Sequence, residues 1–256
     1  MTSDAPLVRA IEIVEDRTAS SSCDRGFLRL RRLIIRNRYP DGSASAPYPC
    51  DIVTRPSADA VAICLYRVEA DAPAGRRVLV LLKESPRAPV FFRTLRHLVV
   101  PDPAPYLSVI ELVAGLIEDG DDGVDGIERR AASEAEEEAG QQLAVTQVTR
   151  LGAGSFASPG ISDEKVYFCS APLERLDGAA PTGDGSVMEE ATRVVVFDLR
   201  AAIRACRDGR IPDLKTEVGL LRLADRLGYL PQLDLFAHEL PEHLRSSIDN
   251  LGSAQN

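Results

Sequence analysis

The sequence predicts a mixed α/β sandwich with a small antiparallel β arm at its N-terminal end. Short apolar or alternating runs, typical of strands, dominate the first half of the 256-residue chain. Helical patterns are few and lie between or after these runs. Apolar residues make up 45% of the chain, which is enough to build one large core.

Residues 1–55 form the predicted arm. Two strand-like runs, at 10–14 and 27–35, are separated by turn-forming residues at 19–22 and followed by a turn at 39–43. So small a unit does not bury a core alone. The main domain is predicted over residues 56–230, and residues 231–256 are expected to form a polar, loosely docked tail.

The main domain begins with two buried strands, at 59–66 and 77–82. The proline-punctuated stretch 84–105 then contains Phe91, Phe92 and Leu95, which predict a short helix that covers the core. Apolar runs predict the later strands, and periodicity with capping residues predicts the helices. These elements are strands at 109–117, 144–151, 165–170 and 193–197 and helices at 127–139, 201–207 and 214–227.

Charge and composition disfavour several classes of protein. Asp and Glu number 39 against 30 Lys and Arg, a formal net charge of −9, which argues against a nucleic-acid binder. Tryptophan is absent, which disfavours a base-stacking platform. No signal peptide or membrane helix is visible, so a cytoplasmic protein is expected. The five cysteines show no C-x-x-C spacing, so we expect free thiols.

The strongest functional signal is an acidic helix with the sequence IERRAASEAEEEAG at 127–140. Glu134, Glu137 and Glu138 are spaced i, i+3 and i+4 and therefore share one helical face. Inside a cleft such carboxylates must protonate or find a cation, and Mg²⁺ bound with substrate phosphates has the right chemistry. E-x-x-E-E alone is more often a solvated acidic helix. Here, however, an apolar strand, ELVAG, and a glycine-rich acidic loop precede it.

Gly115, the three glutamates and Gly140 resemble the Nudix box, G-x5-E-x7-R-E-U-x-E-E-x-G-U with U apolar. Other stretches resemble the ADP-ribose pyrophosphatase branch of that family. They are SPGISDE at 158–164, DGRI at 208–211 and DLKT at 213–216. The resemblance extends over most of residues 10–230 and implies a Nudix-type α/β/α sandwich with a mixed sheet.

Three features depart from the box. Ser133 stands where the box has arginine, Asp121 or Asp122 replaces the first glutamate, and a short insertion precedes Ser133. In Nudix enzymes this arginine helps to hold the catalytic glutamates, and serine makes no such bidentate pair. Arg129 or Arg130, one turn earlier, is a candidate replacement.

The resemblance implies hydrolysis of the pyrophosphate bond of a nucleoside diphosphate sugar, with Mg²⁺ (or Mn²⁺) as the metal. ADP-ribose, giving AMP and ribose 5-phosphate, is the leading substrate. The residues implied for metal binding are Ala114, through its carbonyl, Glu134 and Glu138. The residues implied for catalysis are Glu137 and, as candidate general bases on a loop before a late strand, Glu189 and Glu190. The residues implied for substrate binding are Arg87, Glu111 and Glu164.

The family resemblance also implies a homodimer in which the arm crosses to its partner. Two alternatives remain open at this stage. One is a UDP- or GDP-sugar diphosphatase, because the box does not specify the base. The other is a catalytically weakened nucleotide-sugar-binding domain, which Ser133 and the altered box spacing favour.

Overall fold

The structure is a computed structural model that describes residues 26–69, 77–177 and 191–245. The predicted strand at 10–14, the turn at 19–22 and the candidate bases Glu189 and Glu190 lie outside these residues. The strands are β1 Arg29–Ile35, β2 Tyr48–Thr54, β3 Ala60–Glu69, β4 Arg77–Pro86, β5 Ser108–Glu111, β6 Val113–Leu116, β7 Thr149–Arg150, β8 Ser155–Phe156, β9 Lys165–Pro172, β10 Arg193–Asp198, β11 Tyr229–Leu230 and β12 Leu235–Phe236. The helices are α1 Ala88–Phe91, α2 Gly126–Ala139, α3 Leu199–Arg207 and α4 Leu214–Leu227.

The predicted mixed α/β class is confirmed by an eight-stranded sheet. Its main path runs β10–β4–β3–β9–β7, with β5 beside β4, β6 beside β3 and β8 beside β9. The pairing of β3 with β9 is parallel and the other pairings are antiparallel, so the sheet is mixed. The arm is a separate antiparallel sheet, as expected, but its second strand, β2, is one that the sequence patterns did not predict.

Side-chain alternation along β3 divides the core into two layers. Ala62 and Cys64 face a layer that includes Leu220 and Leu223 of α4, whereas Ile63 faces the layer under α2. Helices therefore cover both faces of the sheet. Asp198 and Asp213 begin α3 and α4 by accepting hydrogen bonds from backbone N–H groups of the first turn.

The arm is fastened to the main sheet by the loop at 158–164. The N–H of Val53 donates to the carbonyl of Ile161 at 2.8 Å, and the hydroxyl of Thr54 donates to Asp163 at 3.0 Å. Arg55, directly after β2, forms an ion pair with Glu164. These contacts bring Arg55, at the end of the arm, to a cleft that Glu138 of the acidic helix also lines.

Four predictions of local structure differ from the observed elements. The apolar run 109–117 divides at Leu112, where the chain passes from β4 as neighbour to β3. Residues 144–151 form only a 3-10 turn and the two-residue β7. The short helix at 88–95 exists, but neither it nor the 3-10 turn that follows contains a buried residue, so it does not cover the core. Phe236 is 1% exposed, so the described part of the expected tail is docked.

Two expectations concern cysteines and membranes. Cys50, Cys64, Cys169 and Cys206 are free thiols, as predicted, and the last three are buried. Within the described ranges, none of the helices combines the length and the apolar character that a membrane crossing requires.

Candidate active site

The acidic helix α2 packs its carboxylates against β6. Its N-terminal half is held to the preceding loop by Arg130, which contacts Asp121 at 2.7 Å and Glu118 at 2.9 Å. Arg130 also lies 3.7 Å from Glu134 one turn later. Arg129 instead donates to the backbone carbonyl of Asp122. Of the two arginines considered in the sequence analysis, Arg130 is therefore the one that reaches Glu134.

Gly115 leaves space for the carboxylate of Glu134. A Cβ atom added at Gly115 would overlap this carboxylate, so the carboxylate would have to move if β6 had a larger residue here. Glu134 is buried, and burial together with the charges of Glu138 and Glu137 raises its pKa to about 8. Arg130 opposes this shift without cancelling it. The positive charge near Glu134 is therefore too small to offset its burial and the charges of the neighbouring carboxylates.

Of the three glutamates Glu134, Glu137 and Glu138, it is Glu138 that lines a cleft. Its side chain is 8% exposed, and its two oxygens have different partners. Oε1 accepts a hydrogen bond from the buried ammonium of Lys83, and Oε2 accepts one from the N–H of Ala114 at 3.0 Å. Glu137 is half-buried beside it. The three carboxylates therefore do not form a fully solvated face, as they would on an ordinary acidic surface helix.

The cleft has a volume of about 690 Å³, and ten of its 21 lining residues are charged. Its positive side chains are Arg55, Lys83, Arg87, Arg93 and Lys215. Its negative side chains are Asp102, Glu111, Glu138, Glu164 and Asp213. Among the described residues, each of these cations is paired with one of these carboxylates, so the lining charges balance. A charged ligand that binds in this cleft would compete with these pairs for their charges.

The pairs lie on different elements and fix the cleft from several sides. Nε of Arg87, next to α1, donates to Glu111 of β5 at 2.7 Å. Lys215 donates to Asp213 at 2.9 Å and lies 3.9 Å from Glu111. Burial raises the pKa of Asp213, but the charge of Lys215 and the hydrogen bonds from Thr216 outweigh it and hold this pKa below its ordinary value. The D-L-K-T stretch therefore carries charge to the cleft as well as capping α4.

Five of the residues predicted for the site meet in this one cleft. They are Arg87, Glu111, Ala114, Glu138 and Glu164. Glu134 packs against Gly115, which also lines the cleft, and Glu137 lies next to Glu138 on the same helix. Glu189 and Glu190 cannot be placed because they fall outside the described residues. No prediction for a described site residue is contradicted by its position.

Magnesium fits this donor set together with a substrate. In the described part of the chain, no group of three or more His, Cys, Asp or Glu side chains converges as a metal cluster. Glu134 and Glu138 nevertheless lie one turn apart on a buried helix face, where burial and the neighbouring carboxylates raise the pKa of Glu134. Mg²⁺ is usually held by one or two carboxylates plus substrate phosphates and water. The two glutamates match the protein's share of such a site.

Sequence reasoning missed Lys83, Arg55 and the pair of Arg93 with Asp102. Lys83 follows directly on the apolar run of β4, and a charged residue in a buried strand is a signal for a polar partner. The sequence does not show that its partner is Glu138, which lies 55 positions later. Arg93 and Asp102 bracket the loop after α1 and bond at 2.9 Å.

No protein-family model matches this chain, and no curated protein matches it either.

Proposed function

We propose that the protein is a Mg²⁺-dependent hydrolase that cleaves the pyrophosphate bond of a nucleoside diphosphate sugar. ADP-ribose, giving AMP and ribose 5-phosphate, is the substrate to test first. The supporting observation is the meeting of the acidic helix with paired cations in one cleft. Glu138 lines the cleft together with its ion-pair partner Lys83. Arg87, Glu111 and Lys215 form a second charged cluster in the same cleft.

The cations in the cleft supply the binding energy for the diphosphate. Arg87 presents a planar guanidinium that suits phosphate oxygens, and its side chain is 36% exposed, so a ligand can reach it. Lys83 and Lys215 act as more compact positive charges. Glu111, buried behind Arg87, orients that guanidinium. A mixed lining of this kind suits a ligand with a charged centre and polar ends.

The acidic helix supplies the hydrolytic half of the site. Glu134, Glu138 and the Ala114 carbonyl are proposed to hold Mg²⁺ (Mn²⁺ is an alternative), and substrate phosphates complete the shell. When bound, the metal would neutralise the diphosphate and acidify a water. The water oxygen forms a bond to phosphorus while the bridging P–O bond breaks, and a carboxylate takes the water's proton. Glu137, Glu189 and Glu190 are the proposed candidates for this proton transfer, and Glu164 for a substrate contact.

A second function is favoured by the pairing of Lys83 with Glu138. A protein cation already neutralises the glutamate that a metal would use, which is the arrangement expected of a nucleotide-sugar-binding domain without turnover. The two functions differ in one simple assay. We would incubate the protein with ADP-ribose, UDP-glucose and GDP-mannose, with Mg²⁺ or with EDTA, and measure nucleoside monophosphate.

Release of AMP from ADP-ribose with Mg²⁺ but not with EDTA would support the proposal. UMP or GMP instead would establish the UDP- or GDP-sugar alternative. Calorimetric binding of a nucleotide sugar without any release would establish the non-catalytic function and contradict hydrolysis.

A homodimer and a cytoplasmic location remain part of the proposal. The end of the arm reaches the cleft through Phe27 and Arg55, and Phe27 is 64% exposed. A second copy could therefore cover the open side of the arm. Light scattering tests this, and a monomer at micromolar concentration would contradict it.

A further inference from the structure

We propose that Lys83 is an exchangeable cation, which neutralises Glu138 in the free protein and transfers to a substrate phosphate when metal and substrate bind. This inference rests on the proposed function, because it assumes that Glu138 takes part in metal binding. It adds a role for a residue that the resemblance does not supply. It also predicts how metal and substrate depend on each other.

Each oxygen of Glu138 has one partner in the free protein. One accepts a hydrogen bond from the ammonium of Lys83 and the other from the N–H of Ala114. The second partner is backbone in a paired strand, and its position is fixed by the pairing of β6 with β3. The first partner is the end of a flexible four-carbon side chain. A metal ion on Glu138 would lie close to this ammonium, and repulsion between the two positive charges would drive Lys83 away.

Lys83 has a destination within the same cleft. It lies on β4, four positions before Arg87, and both side chains line the cleft. A diphosphate bound to Arg87 would bring negative oxygens beside a lysine that is losing its carboxylate. The ammonium would then pass from carboxylate to phosphate without being left unpaired in a buried place, which would be costly.

The balance of charge in the cleft makes the exchange cooperative. A metal that arrives alone must displace the buried Lys83 from Glu138 and leave it unpaired. A diphosphate that arrives alone adds negative charge beside Glu138. When both arrive, each new charge has a partner. Metal and substrate must then raise each other's affinity by the same factor, because binding free energies are linked.

Titration calorimetry on the intact protein tests this by measuring the affinity for Mn²⁺. The titration is done with and without the α,β-methylene analogue of ADP-ribose. The affinity is corrected for the Mn²⁺ that the analogue itself binds. In the wild type, the analogue should raise Mn²⁺ affinity about tenfold or more. In Lys83→Met, Mn²⁺ alone should bind about tenfold more tightly than to the wild type, and the effect of the analogue should shrink. Lys83→Arg keeps the positive charge and should therefore retain most of the coupling between Mn²⁺ and the analogue.

An equal Mn²⁺ affinity of folded Lys83→Met and wild type, both without nucleotide, would overturn the inference. Absence of coupling in the wild type would overturn it without any variant, so the test stands even if Lys83→Met does not fold. The proposed function fails separately. Lys83-dependent coupling without hydrolysis of any nucleotide sugar would support the exchange and contradict turnover, whereas no Mn²⁺ binding under either condition would contradict both.

Discussion

Replacement of Lys83 by methionine leaves the Glu138 carboxylate buried without its ion-pair partner. The side chains of Lys83 and Glu138 are 4% and 8% exposed, so water screens the lost charge poorly. Breaking a buried pair typically costs about 3–5 kcal/mol. The N–H of Ala114 still bonds Glu138 at 3.0 Å, so we expect the lower end, a loss of about 3 kcal/mol in the free energy of unfolding. For a chain of this size, this corresponds to a fall in Tm of about 6–12 °C.

Urea unfolding of four proteins measures this pair directly. They are the wild type, Lys83→Met, Glu138→Gln and the double variant. Because the double variant removes both charges, it should lose less stability than the sum of the single losses, by about 1.5 kcal/mol or more. Additive losses, or single losses below about 0.5 kcal/mol, would show that the pair is not formed as described.

Three further substitutions test the site. Gly115→Ala should displace the carboxylate of Glu134 and lower the rate of AMP release about a hundredfold. Gly120→Ala, whose added Cβ has no neighbour within 4 Å, should leave that rate unchanged. Equal rates for the two variants would contradict this prediction. Arg130→Gln should lower Mn²⁺ affinity about tenfold by calorimetry, and the exposed Arg129→Gln should not; equal losses would remove the special role of Arg130. Arg87→Met should raise KM for ADP-ribose about tenfold with a smaller effect on kcat, and an unchanged KM would refute phosphate binding there.

The regular parts of the fold follow from local patterns. The buried strands β3 and β4 are apolar over most of their length, and α2 and α4 carry helical periodicity with Gly140 and Gly228 at their ends. These signals lie within a few residues of each other, so the sequence alone could place them. The acidic face of α2 could also be predicted from the local sequence, because the i, i+3 and i+4 spacing places these carboxylates on one side of the helix.

The features that the sequence could not predict depend on distant partners. The run 109–117 is apolar apart from Glu111 and Gly115, and its change of neighbour from β4 to β3 divides it. Residues 144–151 have β propensity, yet only Thr149 and Arg150 find a strand to pair with. The role of Lys83 could not be predicted because it depends on the hydrogen bond to Glu138, which is distant in sequence.

The most direct test of the account is the release of AMP from ADP-ribose by the wild type, Glu138→Gln and Glu136→Gln. Glu136 lies on the exposed side of the same helix and bonds only Gln142 among the side-chain contacts described, so it is a matched control. With Mg²⁺ we expect equal rates for the wild type and Glu136→Gln, and a loss of about a hundredfold or more for Glu138→Gln. Turnover of folded Glu138→Gln at the wild-type rate would contradict the central claim that this carboxylate serves hydrolysis.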